Sequence, residues 1–180
     1  MEGPERLKTS SQRRDSSNRR RVVVAMAGAE GLAYGVHLLE TMKRGPLETH
    51  LVLTPEAQNA LGAELRGVYE LADYCYAHDN QAARISSGSF RTAGMIVAPC
   101  DARSLAAIAM GLATNLVYRS ADVTLKEQHP LVLGVPETPT SAVAGENVDR
   151  ALRVPGLSIV PLAGSPEAAV ATLLDPFGAG

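Results

Sequence analysis

The sequence predicts an α/β fold: a doubly wound, mostly parallel sheet of five or six strands in a three-layer sandwich, flavodoxin-like or Rossmann-like. Apolar runs typical of buried strands alternate along the chain with segments of helical spacing. Turns rich in glycine or containing proline separate these segments. The chain is 46% hydrophobic but only 4% aromatic, so its core must be built mainly from aliphatic side chains.

The length of 180 residues suits one domain with a sizeable core. Residues 1–21 carry seven Lys or Arg and three acidic residues, a charge of +4, which leaves −6 for the remainder of a chain whose net charge is −2. We therefore predict a disordered basic tail over residues 1–20 and a single domain over residues 21–180. The acidic body, which lacks an aromatic-basic face, disfavours nucleic-acid binding.

Several features of the sequence argue for a cytoplasmic protein away from membranes. No apolar run approaches the ~20 residues that a membrane helix needs, and the first residues do not form a signal peptide. Cys75 and Cys100 lack metal-type spacing, and the histidines show no clustered partners, so we expect no metal site. His78 falls in a polar connection, where a solvated histidine is the usual case.

The first βα unit begins at Arg21–Met26, a buried strand. Gly28 lies in a small-residue turn that leads into a helix, as in the opening of a nucleotide-binding βαβ unit. The predicted inward positions of that helix are Leu32, Val36, Leu39 and Met42.

The second unit begins at the strand His50–Leu53. Thr54 is a suitable N-cap and Pro55 suits the first helical position. The spacing predicts one continuous helix with inward positions Ala57, Leu61, Leu65, Val68 and Leu71. Tyr74–Ala83 is interpreted as a polar connection.

The third unit surrounds the buried run Met95–Ala98, which follows a turn of sequence SSGS. Pro99 is expected to end this strand because proline has no N–H for a ladder. Asp101 is then placed to cap a helix with the inward stripe Leu105, Ile108, Ala109 and Leu112. Ligands of open α/β sheets bind outside the carboxyl ends of strands, where helix N-termini favour anions such as phosphate.

The rest of the chain repeats this alternation. The predicted elements are a strand at Leu131–Val135, a helix at Glu146–Leu152, a strand at Leu157–Pro161 and a helix that starts at Ser165.

The chain carries SSGSFRT with APC around the third strand, GLATNLVYRSADVTLKE, and then HPLVL and ETP, over roughly residues 21–139. Together and in this order, these motifs resemble the UbiX-type flavin prenyltransferase family, within the flavin-containing decarboxylase-like superfamily. The resemblance implies FMN as cofactor, dimethylallyl phosphate as substrate and prenylated FMN as product. It also implies a homo-oligomer, a trimer or a dodecamer, with flavin at subunit interfaces.

The resemblance further implies a set of site residues. Those that match cofactor-binding positions are Gly28, Ala29, Glu30, Thr54, Ser87, Ser89, Asp101, Arg103, Ser104, Asn115 and Arg119. Those that match catalytic positions are Glu64, Lys126 and Glu137. Purely structural roles stay open for some: Thr54 as a helix N-cap, Asn115 as a helix C-terminal residue, Glu64 as an exposed helix residue, and Arg119 with Lys126 as a solvated charged run.

The chain also departs from the family pattern at several places. Ala27 and Glu30 replace both serines of the family's Ser-Gly-Ala-Ser-Gly turn, and Pro136 replaces an arginine. A short link at residues 162–164 stands where the family has a longer segment with Tyr and Arg. We therefore expect slow prenyl transfer, and two alternatives stay open: a non-catalytic FMN-binding carrier or partner protein, and a flavin-dependent decarboxylase.

Overall fold

The computed structural model describes residues 19–136 and 141–178, and within them a six-stranded parallel sheet. The strands are β1 Arg20–Ala27, β2 Leu47–Leu53, β3 Tyr74–Tyr76, β4 Gly94–Cys100, β5 Leu131–Val135 and β6 Leu157–Pro161. Their order is β3-β2-β1-β4-β5-β6, the Rossmann order, and without the short β3 it matches the flavodoxin order. The predicted fold class is confirmed.

Helices cover both faces of the sheet. They are α1 Leu32–Arg44, α2 Pro55–Leu61, α3 Leu65–Leu71, α4 Ala102–Ala109, α5 Leu116–Lys126, α6 Ala142–Leu152 and α7 Pro166–Leu174, with single 3₁₀ turns at Gly62–Glu64, Arg84–Ser86 and Asp175–Phe177. One face packs against α1, α2, α3 and α7, and the other against α4, α5 and α6. No helix in the described part of the chain is long and apolar enough to cross a bilayer.

The central strand explains why its sequence is apolar at every position. Val22, Val24 and Met26 of β1 point to the α1 side, whereas Val23 and Ala25 point to the α5 side. A strand covered on both faces cannot alternate apolar with polar residues, so it forms a continuous apolar run.

The prediction that Pro99 ends its strand is wrong. The strand β4 runs on to Cys100. On one side the ladder to β1 shifts register between Ala25 and Ala27, and on the other the pairing with β5 ends at Val97. The N–H that Pro99 lacks therefore falls where neither neighbour pairs with it.

Two other expectations about segments are wrong. The connection Tyr74–Ala83 contains the edge strand β3, which pairs with β2. The helix expected to run through Leu71 is broken into α2 and α3, because Gly62 has a φ of 48° and a ψ of −116°.

The stripe on α4 is also shorter than predicted. The helix ends at Ala109, so Leu112 lies beyond it and is 46% exposed.

At the N-terminal boundary, Arg19 and Arg20 already belong to the fold. Arg20 opens β1, and the guanidinium of Arg19 forms an ion pair with Asp73 at 3.0 Å. The predicted tail over residues 1–20 otherwise lies outside the described residues, and so does Glu137.

Candidate functional site

Three strand ends converge on Gly28 at the carboxyl edge of the sheet. The N–H of Thr54 donates to the carbonyl of Met26, and that of Asp101 donates to the carbonyl of Ala27, each at 3.0 Å. The turns that follow β2 and β4 are thus attached to the end of β1. We call this group, formed by Gly28, Thr54 and Asp101 with the helix starts beside them, the carboxyl-edge site.

Thr54 is both the predicted N-cap and a bridge to Gly28. Its Oγ1 accepts from the N–H of Ala57 at 3.4 Å and from the N–H of Gly28 at 3.3 Å. These two bonds occupy both hydroxyl lone pairs, so the remaining O–H is left to donate. Thr54 is only 4% exposed, so its hydroxyl lies in the interior beside Gly28.

Gly28 must be glycine for two reasons. Its φ is 104°, a backbone conformation that side chains disfavour. A Cβ at this position would also lie 2.7 Å from the Cβ of Asp101. The turn therefore brings bare backbone close to the start of α4.

The start of α4 brings three predicted residues together. Asp101 caps the helix, its Oδ1 accepting from the N–H of Ser104 at 2.8 Å. The Ser104 hydroxyl lies 3.2 Å from that of Tyr118 on α5, a contact not predicted from the sequence. Arg103 is mostly exposed. Its guanidinium lies 3.5 Å from the carboxylate of Glu56 and 3.6 Å from that of Asp101, at the solvent-exposed side of the site.

Asn115 begins a helix rather than ending one, which corrects its structural interpretation. It is the N-cap of α5, and its side chain accepts from the N–H of Tyr118 at 3.0 Å. The next residue, Leu116, donates its N–H to the carbonyl of His78. Asn115 is thus linked to the start of α4 only indirectly, because it caps the turn that carries Tyr118, whose hydroxyl contacts Ser104.

The start of α1 differs from the starts of α2, α4 and α5. Its N-cap is Gly31, which offers no side-chain acceptor to the first N–H groups. N–H groups at a helix start without a side-chain cap favour an anion. Ala29 and Glu30 lie exposed in the turn before it, and the Glu30 carboxylate would repel an anion placed there.

Two departures from the family pattern, Pro136 after β5 and the short link at residues 162–164 after β6, lie next to this turn. A Cβ on Gly31 would lie 3.1 Å from Pro136 and 3.7 Å from Leu162. The hydroxyl of Tyr34 donates to the carbonyl of Gly164 at 2.9 Å, which fixes the short link after β6. An apolar cover of Pro136 and Leu162 therefore lies beside the α1 start.

The two cations predicted for phosphate share one acid. On α5, Arg119 lies 3.4 Å and Lys126 2.7 Å from the same Oδ2 of Asp122. Their backbone positions lie seven residues, about 10 Å, apart along the helix axis, but both charged groups converge on this one carboxylate oxygen. Lys126 is 65% exposed at the end of α5 that lies away from Asn115, so in one chain it does not reach the carboxyl-edge site.

The serine turn Ser86–Ser89 also lies away from that site, near the amino edge of the sheet. The N–H of Ala93, just after it, donates to the carbonyl of Arg21 at the start of β1. Gly88 packs against Glu127 at the end of α5. The length of β1 places this edge about 20 Å from Gly28, at ~3.3 Å per residue. Ser87 and Ser89 thus contact each other, with hydroxyls 2.9 Å apart, but not the carboxyl-edge site.

Glu64, a predicted catalytic residue, is exposed in the 3₁₀ turn after α2.

His78 is half-buried in the wall of a cleft of about 410 Å³, a volume suited to a small ligand. Cys75 lines the same cleft, and burial raises the pKa of its thiol to about 12, so it is not a thiolate at neutral pH. The lining residues are Pro55, Gln58, Tyr69, Cys75, Tyr76, Ala77, His78 and Asp79.

His50, expected to have no clustered partners, is fully buried between two polar side chains. Its Nε2 donates to Glu48 at 3.0 Å, and the hydroxyl of Tyr76 donates to its Nδ1 at 2.8 Å. Arg21 in turn pairs with Glu48 at 3.2 Å. The sequence pattern that indicates this buried polar group is Glu-x-His in β2 with Tyr-x-Tyr in β3. It can be recognised only once the pairing of the two strands is known.

Burial and charge fix the protonation of this group. Burial lowers the pKa of His50, and the Glu48 carboxylate offsets that only in part. For Glu48, burial raises the pKa, but the hydrogen bond from His50 and the charge of Arg21 outweigh it and hold the pKa below its ordinary value. A neutral imidazole therefore donates to a carboxylate at neutral pH.

The family model described as Flavoprotein matches residues 9–167. A Bacillus subtilis protein described as a "Probable UbiX-like flavin prenyltransferase" is 47% identical over 153 residues, which span 83% of this chain and 74% of that protein. The chain therefore belongs to the flavoprotein family, and within it to the UbiX-like flavin prenyltransferases.

Solved structures agree with this assignment. AnUbiX, crystallised with FMN and dimethylallyl pyrophosphate, is 40% identical with a TM-score of 0.83, over 89% of this chain and 93% of its own. A dodecameric FMN-dependent UbiX-like decarboxylase from Escherichia coli O157:H7 is 41% identical, also with a TM-score of 0.83, over 88% of this chain and 94% of its own.

Proposed function

We propose that this protein is a flavin prenyltransferase that binds FMN and attaches to it a dimethylallyl group from the corresponding phosphate ester. The observation that carries the proposal is the match, over nearly the whole chain, to AnUbiX, whose structure holds FMN and dimethylallyl pyrophosphate. When bound and reduced, FMN would supply the nucleophilic ring positions N5 and C6 that accept the prenyl group. A cytoplasmic location belongs to the same proposal.

The carboxyl-edge site fits the phosphate of FMN. The uncapped start of α1 offers backbone N–H groups, Thr54 offers a hydroxyl donor and Arg103 offers a guanidinium. Phosphate is well matched by backbone N–H groups at a helix start and by arginine. Asp101 and Asn115 act indirectly, because each fixes a helix start beside the site.

The residues at the opposite edge would act on FMN bound to another copy of the chain. Ser87, Ser89 and Lys126 match the family's site positions, yet about 20 Å separates their edge from Gly28 within one chain. A homo-oligomer that apposes the two edges of neighbouring copies would complete the site. The dodecameric E. coli relative supports such an assembly, and we propose a trimer or a dodecamer.

Cations would stabilise the leaving phosphate. Arg119 and Lys126 lie on one face of α5, and both pair with the carboxylate of Asp122. Charge-assisted hydrogen bonds from such groups stabilise the negative charge that grows on the phosphate. Glu137 and Glu64 are proposed as the acidic groups of the site, on the strength of their match to the family pattern.

The departures near the α1 start predict a weakened enzyme. Glu30 adds negative charge where the family has serine, and Pro136 with Leu162 forms an apolar cover where the family has cations. Each lost charge-assisted bond costs about 1.5–3 kcal/mol of binding free energy. We therefore expect a high KM for dimethylallyl phosphate, unless Arg150 or Arg153 of another copy replaces the missing cations.

The test is an anaerobic reaction of reduced protein–FMN with dimethylallyl phosphate, followed by mass spectrometry of the released flavin. A flavin heavier by one isoprene unit supports the proposal. Normal FMN binding with no heavier flavin under any condition would favour the carrier or decarboxylase alternatives. Loss of carbon dioxide from an aromatic acid or a cysteine-ended peptide, without prenylation, would identify the decarboxylase.

A second test asks whether the site is shared between copies. Gly28→Ala damages the carboxyl edge, and Ser87→Ala with Ser89→Ala damages the serine turn. If one site takes its two halves from two copies, random mixing of the two variants restores about a quarter of the sites. Sites built within single chains would all stay damaged. The readout is FMN bound per subunit after co-expression of the two variants.

A further inference from the structure

The polar group around His50 lies under the serine turn, and no step of the proposed reaction uses it. Tyr74 stacks on the His50 ring at 4.8 Å between centroids, with planes only 7° apart. Together with the bonds to Glu48 and Tyr76, this stacking fixes both the position and the tilt of the imidazole. A buried ring held on every side is a rigid support for whatever packs against it.

Phe90 is the residue that packs against it. Its ring meets His50 edge-to-face, with centroids 5.0 Å apart and planes at 75°. The guanidinium of Arg21 lies 4.8 Å from the centre of the same ring, and that of Arg84 lies 5.7 Å away. Arg21 is itself held by Glu48. Edge-to-face and cation–π contacts both depend on the aromatic ring and not merely on its volume.

Phe90 directly follows the serine turn and is bonded to it. Its N–H donates to the carbonyl of Ser87 at 3.0 Å, and Ser87 and Ser89 are exposed. Within the turn the Ser87 and Ser89 hydroxyls contact each other, and Ser86 donates to the carbonyls of Gln81 and Ala83 in the segment before it. These local bonds set the shape of the turn, whereas Phe90 and the buried Ile85 on its other side anchor it to the sheet.

We propose that His50 is a positioning residue: through Phe90, the group of Glu48, His50 and Tyr76 holds the Ser86–Ser89 turn where its hydroxyls meet the flavin of the neighbouring copy. This inference rests on the proposed function for the identity of the ligand. The position of the turn itself does not depend on it.

The experiment compares five variants of the full chain. His50→Leu removes both polar bonds, and Phe90→Leu keeps an apolar side chain but loses the ring. Phe90→Tyr retains the ring and is the conservative variant. Ser87→Ala with Ser89→Ala marks complete loss of the hydroxyls. Phe177→Leu is the matched control, because Phe177 is the other phenylalanine of the chain and is buried in the core of the opposite face.

Two readouts are taken for each variant: hydrogen–deuterium exchange of amides 86–91 without FMN, and the dissociation constant of FMN. We expect His50→Leu and Phe90→Leu to speed exchange in the turn and to weaken FMN binding by about tenfold, the equivalent of one or two lost contacts. Phe90→Tyr should restore both values. Phe177→Leu should lower the thermal midpoint and change neither.

The outcomes distinguish failure of the positioning role of His50 from failure of the proposed function. Unchanged exchange at residues 86–91 in both His50→Leu and Phe90→Leu would overturn the positioning role, whatever happens to FMN. If His50→Leu does not fold, Phe90→Leu decides alone, since Phe90 is only partly buried. A wild-type protein that binds no FMN would refute the proposed function, while the exchange data would still decide the role of His50.

Discussion

The two edges of the sheet hold their proposed functional groups in different ways. At the carboxyl edge, backbone N–H groups and short capping side chains converge on Gly28, and each contact is made at the end of a strand or the start of a helix. Near the amino edge, a buried acid, an imidazole and aromatic rings hold a turn from beneath. The first arrangement depends on local backbone geometry, whereas the second depends on the pairing of distant strands.

This difference has a consequence for mutation. At the carboxyl edge a small change of side chain displaces backbone, so effects on a ligand should be large and local. Near the amino edge, substitutions in the group around His50 should act on a ligand only indirectly, through Phe90, so their effects should be smaller.

Gly28→Ala should have the largest effect. A side chain at a φ of 104° costs about 1–3 kcal/mol, and its Cβ would also clash with Asp101. We expect FMN binding to weaken by about a hundredfold, as measured by titration of flavin fluorescence. The control is Gly67→Ala in α3, where nothing lies within 4 Å of an added Cβ. It should raise the free energy of unfolding by about 0.5–1 kcal/mol and leave FMN binding unchanged.

Thr54→Val should come next. The variant has nearly the same shape but deprives the N–H groups of Gly28 and Ala57 of their common acceptor. We expect the free energy of unfolding to fall by about 2 kcal/mol and FMN binding to weaken about tenfold. Ser165→Ala, which removes the N-cap of α7, is the control: it should cost about 1 kcal/mol of stability but leave FMN affinity unaltered. Equal effects of both variants on FMN would contradict a local role for Thr54.

Arg119→Ala should weaken binding of FMN or of the substrate phosphate by about tenfold and leave circular dichroism unchanged. The reason is the loss of one charge-assisted bond, whereas Arg119, with a side chain 42% exposed, is not one of the buried residues of α5. Arg66→Ala removes a comparable ion pair, on α3, and should change neither affinity. Unchanged affinity and turnover in Arg119→Ala would assign this arginine to the solvated surface.

The smallest effect concerns pH and the group around His50. The pKa values of His50 and Glu48 are both lowered by folding, so the folded state binds fewer protons than the unfolded state. Stability should therefore be fully present above the ordinary histidine pKa of about 6.5 and should decline as pH falls below it. Urea unfolding at pH 7.5 and 5.5 measures this decline, which should be smaller in His50→Gln. An identical decline in that variant would exclude His50 as its source.

Much of the carboxyl-edge site was predictable because its determinants are local. The sequence around Thr54 and Asp101 predicts helix caps, and the structure confirms both. A polar side chain that caps a helix acts within three residues of itself, so spacing alone identifies it. The same locality explains why all strands except β3 were predicted.

The group around His50 and the position of Pro99 within β4 could not be predicted from local sequence, because both depend on contacts between distant segments. His50 and Tyr76 meet only because β2 pairs with β3, and three-residue strands leave little periodic signal. Pro99 is tolerated in β4 only because the ladder shifts register beside it.

Short stretches of sequence specify the alternation of strands and helices, the caps at Thr54, Asp101 and Ser165, and the family resemblance, because each depends on residues close together in the chain. The separation of Ser87 and Lys126 from Gly28 and the contact of His50 with Phe90 depend on tertiary structure. Strand order and helix direction, set by packing of the whole sheet, determine which edge of the sheet a residue reaches.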